Sequence, residues 1–442
     1  MEVCSFDKIF NEIVFKKMKN RSVIFYSLSI FWILFMKGTW FGFNPMIDGW
    51  IKNALSCFLL MSLLFNIKNF LGGKYKYINV SLLLFCVISY VSALINFDDV
   101  NALNVLGRSG GEIIDLKAQI PKSVLYQMIS LLATAYFIEK FSEIGKIRLM
   151  IKTVFYALLL LLVFVDIDAF TTIDVETGNS YLIGNKFAVT YSNIYICVLY
   201  ALLNPEFTRK SRILFYILAI ITFLVSLHTE CSTALMGIVL YIALVEFIPQ
   251  HIMLKLYSLR TLFLSLFICD ILFFFFTTWF LQFPIVQDFI VDVLHEDLTL
   301  TGRLIIYEKI QEAFAENPWL GYGAGNSSVI SVLYTGFYNA QNGLVDMFVQ
   351  VGILGCIAFL SFLYSIFRYL KVYNTSITNK SVYPIIAFVY IMIAISMVEI
   401  PFNNKFIFFT MLLLTNSTKD FKIVHNGKNK YYSTNIQGTR LS

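Results

Sequence analysis

An all-α, polytopic membrane protein is the fold class this sequence predicts, and three observations carry the prediction. The first is composition: of 442 residues, 58% are hydrophobic and only 14% charged, whereas soluble domains are near half apolar and a quarter charged. The second is that apolar runs of roughly 18–20 residues recur along the whole chain, the length that crosses about 30 Å of hydrocarbon. The third is that Lys and Arg gather in short clusters between the runs, as topology signals do. For that reason the net charge of +6 does not argue for a nucleic-acid partner.

The runs place about 12 transmembrane helices, at roughly 22–43, 53–72, 77–97, 122–139, 149–168, 186–204, 212–228, 233–249, 261–283, 345–366, 382–401 and 404–418. The last is the shortest and weakest. With the basic N-terminal segment on the cytoplasmic side, 25 of the 34 Lys and Arg fall inside and 9 outside. That bias satisfies the positive-inside rule and puts both termini in the cytoplasm. The first run is full length and lacks a small-residue cleavage site, so it is expected to remain as a helix. The seven cysteines lie mostly within apolar runs, with no CxxC pair. They read as small buried hydrophobes, with neither a disulfide nor a zinc site.

One embedded domain over 1–442 is expected, carrying unequal outward connections. Residues 98–121 and 169–185 form medium loops. Residues 284–344 form a large extracytoplasmic loop, too long for a mere connector. Pro318 disfavours helix at Asn317, so an amphipathic helix 302–315 should end there. Its apolar stripe is Ile306, Ile310, Ala313 and Phe314. Arg303, Tyr307, Ile310 and Phe314 share one face. Arg303 then lies at the positive end of the helix dipole, and the two positive features together suit a phosphate. An Arg in that place also snorkels to headgroups or pairs with an acid.

Next, Asn317-Pro-Trp-Leu-Gly-Tyr-Gly-Ala-Gly-Asn326 alternates three glycines. Such backbone can cradle an anion with N–H groups. No Gly-Lys-Ser/Thr follows, so it is not a P-loop, and a plain turn is the simpler reading. Then Asn339-Ala-Gln-Asn-Gly343 enters the tenth span, where its amides can bind a sugar or cap the helix. Asp270 sits in mid-span, where a charge is costly and is either functional or paired.

In order and spacing these segments resemble the O-antigen ligase and polymerase superfamily. The matching text is Thr301-Gly302-Arg303, Asn317 to Asn326, Gln341-Asn342, and Val351-Gly-Ile-Leu-Gly355. A weaker match is Gly184-Asn185-Lys186-Phe187, where family members carry a basic residue and an Asn. One departure stands out: ligases of the superfamily place a His before the Asn, and Gln341 cannot accept a proton. The chain therefore looks most like a polymerase of capsular or O-antigen polysaccharide.

The resemblance implies a GT-C-like glycosyltransferase in the bacterial cytoplasmic membrane. It would move a growing glycan from an undecaprenyl-diphosphate carrier onto a lipid-linked repeat unit at the outer face. Arg303 and Lys186 would stabilise the departing diphosphate, with no metal or other cofactor. Asn185, Gly302, Tyr307, Gly325, Asn326, Gln341 and Asn342 would bind substrate. For a base, His295, Glu296, Asp297, Glu308, Glu312, Glu230 and Glu399 are available, each with a competing structural or exposed role. Glu308 is the first choice, because among the helix acids it is nearest Arg303 in sequence. A chain-length regulator protein would be a further partner. The alternatives are a ligase joining glycan to a lipid or other acceptor and, from another class, a lipid-linked oligosaccharide flippase.

Overall fold

The structure, a computed structural model, describes residues 18–36, 45–103, 105–109, 112–171, 181–256, 258–280, 283–288, 292, 303–373 and 382–417. In chain order the helices are α1 (Asn20–Phe35), α2 (Pro45–Leu64), α3 (Ile67–Gly72), α4 (Lys76–Ile95), α5 (Phe97–Ala102), α6 (Pro121–Glu143), α7 (Ile147–Thr171), α8 (Lys186–Leu203) and α9 (Arg209–His228). There follow α10 (Ser232–Ile242) with a π-helical turn at Ala243–Phe247, α11 (Gln250–Leu256), and α12 (Leu259–Leu266) running through a π-helical segment (Phe267–Leu272) into α13 (Phe273–Phe280). The last are α14 (Pro284–Asp288), α15 (Arg303–Glu316), α16 (Ser327–Thr335), α17 (Gly343–Tyr373), α18 (Tyr383–Ile395) and α19 (Asn404–Met411).

Among the described residues, seven helices are long and apolar enough to cross a membrane: those at 46–64, 76–95, 147–171, 186–203, 209–228, 259–276 and 343–371. Four shorter apolar helices lie at 20–35, 232–247, 383–395 and 404–414. Each of the twelve expected spans thus overlaps a helix. The one at 121–143 carries Lys122, Glu139, Lys140 and Glu143 and is not among the apolar eleven. A chain of this kind is a multi-pass membrane protein. The expectation of helices alone does not hold in the first medium loop. Val105–Ser109 (β1) and Glu112–Leu116 (β2) pair antiparallel there, Ser109 opposite Glu112. Gly110 and Gly111 lie between them in sequence, a two-residue hairpin signal.

The bundle centres on α8, whose residues Val189 to Leu202 are all buried. A helix apolar on every side belongs inside others, and α7, α9, α10 and α18 surround it. A second, smaller core sits at one end. It joins Val100, Val105, Phe274, Ile306, Tyr307, Ile310, Ala313, Val329 and Val349. Ile306, Ile310 and Ala313 of the expected stripe are therefore buried, so the large loop folds against the bundle through its own apolar face. Its helix runs Arg303–Glu316, against the 302–315 expected.

The glycine-rich segment has a backbone task. Gly352 interrupts α17 with φ 61° and ψ −166°. Such a break leaves helical carbonyls and N–H groups without partners, which is expensive away from water. Residues 318–323 fill the gap. The N–H of Tyr322 donates to the Val349 carbonyl at 2.8 Å and that of Gly323 to Gln350 at 2.9 Å. Beyond the break, the N–H of Ile353 donates to the Pro318 carbonyl at 2.8 Å and that of Leu354 to Trp319 at 3.2 Å. The fit requires glycine on both sides: a Cβ at Gly321 would lie 2.6 Å from the Val349 oxygen, and one at Gly352 would lie 2.4 Å from the Trp319 oxygen. The two Gly-containing motifs are therefore halves of one joint.

Candidate active site

Arg303 begins α15 and turns toward the segment between α18 and α19. Its Nη2 lies 3.7 Å from Oε1 of Glu399, with both side chains about nine-tenths buried. One helical turn on, Tyr307 is buried, with its hydroxyl 2.9 Å from the carbonyl of Gln341 and 2.8 Å from that of Met397. Burial, opposed by the nearby Arg303, pushes the Tyr307 phenol well above its usual range. It stays protonated and can serve as donor to these carbonyls. The expected face of α15 thus becomes a clamp. Arg303 and Tyr307 hold together the start of α17 and the end of α18.

Gln341 sits in this clamp with φ 48°, a left-handed conformation that costs a non-glycine residue about 1–2 kcal/mol. Its N–H donates to Oδ1 of Asn339 at 2.9 Å. Its side-chain Oε1 is buried without a hydrogen-bond partner among the described residues. A buried orphan acceptor calls for an explanation, and a bound donor supplies one. Asn342 behaves differently. Its Oδ1 accepts from the N–H of Val345 at 3.1 Å and its Nδ2 donates to the Asp270 carbonyl at 3.2 Å. Of the two roles open to this amide, the structure shows the helix cap.

Asp270 lies in the π-helical segment, 1% exposed, and accepts from the N–H of Leu344 at 3.4 Å. A carboxylate at the N-terminus of α17 meets the positive end of the helix dipole. Asp346, one turn further, accepts from the hydroxyl of Ser327 and from Nε2 of Gln350, the latter at 2.7 Å. It ties the start of α16 to α17, a connection that sequence spacing did not reveal.

The remaining expected residues separate. Asn185 caps α8 by accepting from Ala188 N at 3.0 Å. Lys186 donates to the Glu230 carbonyl at 2.9 Å. Tyr191 lies deeper on the same helix and is buried. Asn326 is fully buried. It accepts from Gln119 N at 2.6 Å and donates to the Tyr322 carbonyl at 2.8 Å, an internal brace. Gly325, with φ 89°, donates its N–H to Oε1 of Gln350 at 2.7 Å.

Glu308 is exposed, and five residues along a helix turn it about 140° away from Arg303. The acid beside the guanidinium is instead Glu399, which sequence distance alone did not favour. Gly302 and the His295-Glu296-Asp297 run lie outside the described residues. Among the described residues, no group of three or more His, Cys, Asp or Glu is placed to hold a metal ion.

Residues 194–360 match the family model described as O-antigen ligase. The match supports the O-antigen ligase/polymerase superfamily for this segment. No curated protein matches the chain. The superfamily segment contains Asp270, Arg303, Tyr307, the glycine-rich joint, Gln341 and Gly352. Lys186 and Glu399 lie outside it, on the elements that the tertiary fold brings up against it. The superfamily assignment supports ligase- or polymerase-type activity on glycans at a membrane.

Proposed function

We propose that the chain is a polysaccharide polymerase, joining undecaprenyl-diphosphate-linked repeat units at the outer face of the bacterial cytoplasmic membrane. The observation that carries this reading is the Arg303 clamp. A buried guanidinium, paired with Glu399, begins the helix whose Tyr307 hydroxyl bonds the Gln341 carbonyl, and the Gln341 side-chain oxygen is buried without a partner among the described residues. Departure of a lipid diphosphate develops negative charge, and a preorganised guanidinium answers it with charge-assisted hydrogen bonds. Its planar fork matches phosphate oxygens better than an ammonium does. Lys186 supplies a second cation on α8, and the Gln341 amide receives a sugar hydroxyl. In this reading all twelve expected spans cross the bilayer and both termini are cytoplasmic.

The ligase reading draws on the description of the matched family. It is the weaker of the two, because Gln341 stands where ligases carry a His and cannot take a proton from an acceptor. Glycan profiles of a deletion strain, complemented with this gene, separate the possibilities. A missing polymerase leaves single repeat units attached to the final acceptor. A missing ligase leaves polymer on the carrier, and a missing flippase leaves repeat units unexported. Either of the last two patterns would overturn the polymerase reading.

A further inference from the structure

Behind the clamp, within the bundle, lies a cavity of about 430 Å³, within the size range of small-molecule sites. Its walls come from α1, α4, α6, α17, the glycine-rich joint and the start of α19. Along the chain it comes near the Arg303 cluster at two points. Ile400 in its wall follows Glu399 directly, and Gly343 in its wall comes two residues after Gln341. Consecutive Cα atoms are about 3.8 Å apart, so the cavity begins within about 8 Å of backbone from both of these clamp residues.

The lining is amphipathic in a specific way. Ile33, Met128 and Ile407 are apolar, and Phe85 and Phe402 contribute aromatic rings. Against these stand Gln127, Asn404 and Lys405. Gln127 is exposed on α6, which the proposed topology places in the membrane, where polar groups normally face protein or a water-filled space. Among the described residues, the side chains of Gln127 and Asn404 make no hydrogen bond to protein. Lys405 holds its ammonium 5.5 Å from the ring centroid of Phe35 and 5.9 Å from that of Tyr195, which fixes the cation at the cavity edge. Asp346 and Gln350 line the same wall but are bonded to each other and to the joint.

Two uncommitted amides, each able to donate and accept, suit paired hydroxyl groups. Aromatic rings beside them suit the apolar face of a sugar. We propose that this cavity is a saccharide subsite. It receives the hydroxyl-bearing end of the acceptor glycan, with Gln127 and Asn404 as the recognising amides and Lys405 as a further donor. The assignment rests on the glycosyltransferase reading above, which places the diphosphate of the other substrate at Arg303.

The test uses the full-length purified protein and two separate probes. One is the repeat-unit oligosaccharide, freed of lipid, from the precursor that accumulates in a deletion strain. The other is bare undecaprenyl diphosphate. Gln127→Ala and Asn404→Ala should each weaken oligosaccharide binding about tenfold and leave undecaprenyl diphosphate binding unchanged. Arg303→Ala should do the reverse. Oligosaccharide affinity equal to wild type in both amide variants, or no oligosaccharide binding by the wild type, overturns the subsite. Undecaprenyl diphosphate affinity unchanged in Arg303→Ala defeats the diphosphate reading instead, so the two failures are distinguishable. Weakened undecaprenyl diphosphate binding in the amide variants would make the cavity a lipid-phosphate site and also overturn the proposal.

Discussion

Arg303 and Glu399 form a buried ion pair across 96 residues of sequence, and that pair joins the large loop to the last two helices. Removing one member of such a pair leaves the other charge uncompensated, which costs about 3–5 kcal/mol. Glu399→Ala should therefore lower the thermal stability of the purified protein by that order. The double variant Arg303→Ala/Glu399→Ala should be more stable than Glu399→Ala alone. Strict additivity of the two single effects would mean that the pair does not couple.

Arg303→Ala should reduce polymer formation by about 10²–10³-fold, the usual loss when one preorganised donor to a developing anion is removed. Arg303→Lys should also fall well below wild type, because the ammonium lacks the planar fork. Glycan length on gels, normalised to membrane abundance, is the readout. Long chains at wild-type level in Arg303→Ala would remove the guanidinium from the chemistry.

Gln341 carries a left-handed backbone that glycine adopts freely. Gln341→Gly should stabilise the protein by about 1 kcal/mol and still shorten the polymer, because the amide oxygen is gone. Gln341→Ala keeps the backbone cost and should lose activity without the gain. Thermal unfolding measured alongside chain length separates the two effects, and full activity in both variants would rule out an amide contact to substrate.

The Gly321–Gly352 joint predicts a sharp contrast between glycines. Gly321→Ala or Gly352→Ala drives a Cβ into backbone and should cost about 3 kcal/mol or more. Gly336 has φ 80° but nothing within 4 Å of a built Cβ, so Gly336→Ala should cost only the left-handed term of about 1–2 kcal/mol. Equal loss at all three positions would contradict the joint.

Cysteines placed at the exposed positions Glu312 and Lys210 should react with a membrane-impermeant thiol reagent from opposite sides. Glu312→Cys should label in intact cells and Lys210→Cys only after permeabilisation. Labelling of both in intact cells would overturn the proposed span count.

How much was legible beforehand varies residue by residue. The helix at 303–316 and its buried stripe Ile306, Ile310 and Ala313 were readable, because periodicity is a local property of the chain. Asn342 was readable as either a cap or a ligand, and only the α17 N–H groups showed that it caps the helix. Glu399 was visible as an acid but not as the partner of Arg303, since nothing in linear spacing ranks distant carboxylates. The Phe402-Asn-Asn-Lys405 polar step between two apolar runs lines the cavity, which linear sequence does not show because the other walls come from distant helices.

The sequence by itself determined a helical membrane protein, the order of its motifs and the superfamily they resemble. Run length, charge clusters and glycine spacing are written locally. Only the tertiary structure decided that the glycine-rich segment mends a broken α17, that Arg303 is paired with Glu399, and that Gln341 is held with an unsatisfied oxygen. The reason is physical. A buried charge, an interrupted helix and a strained residue each need a partner to be tolerated, and those partners lie on elements that come together only when the bundle closes.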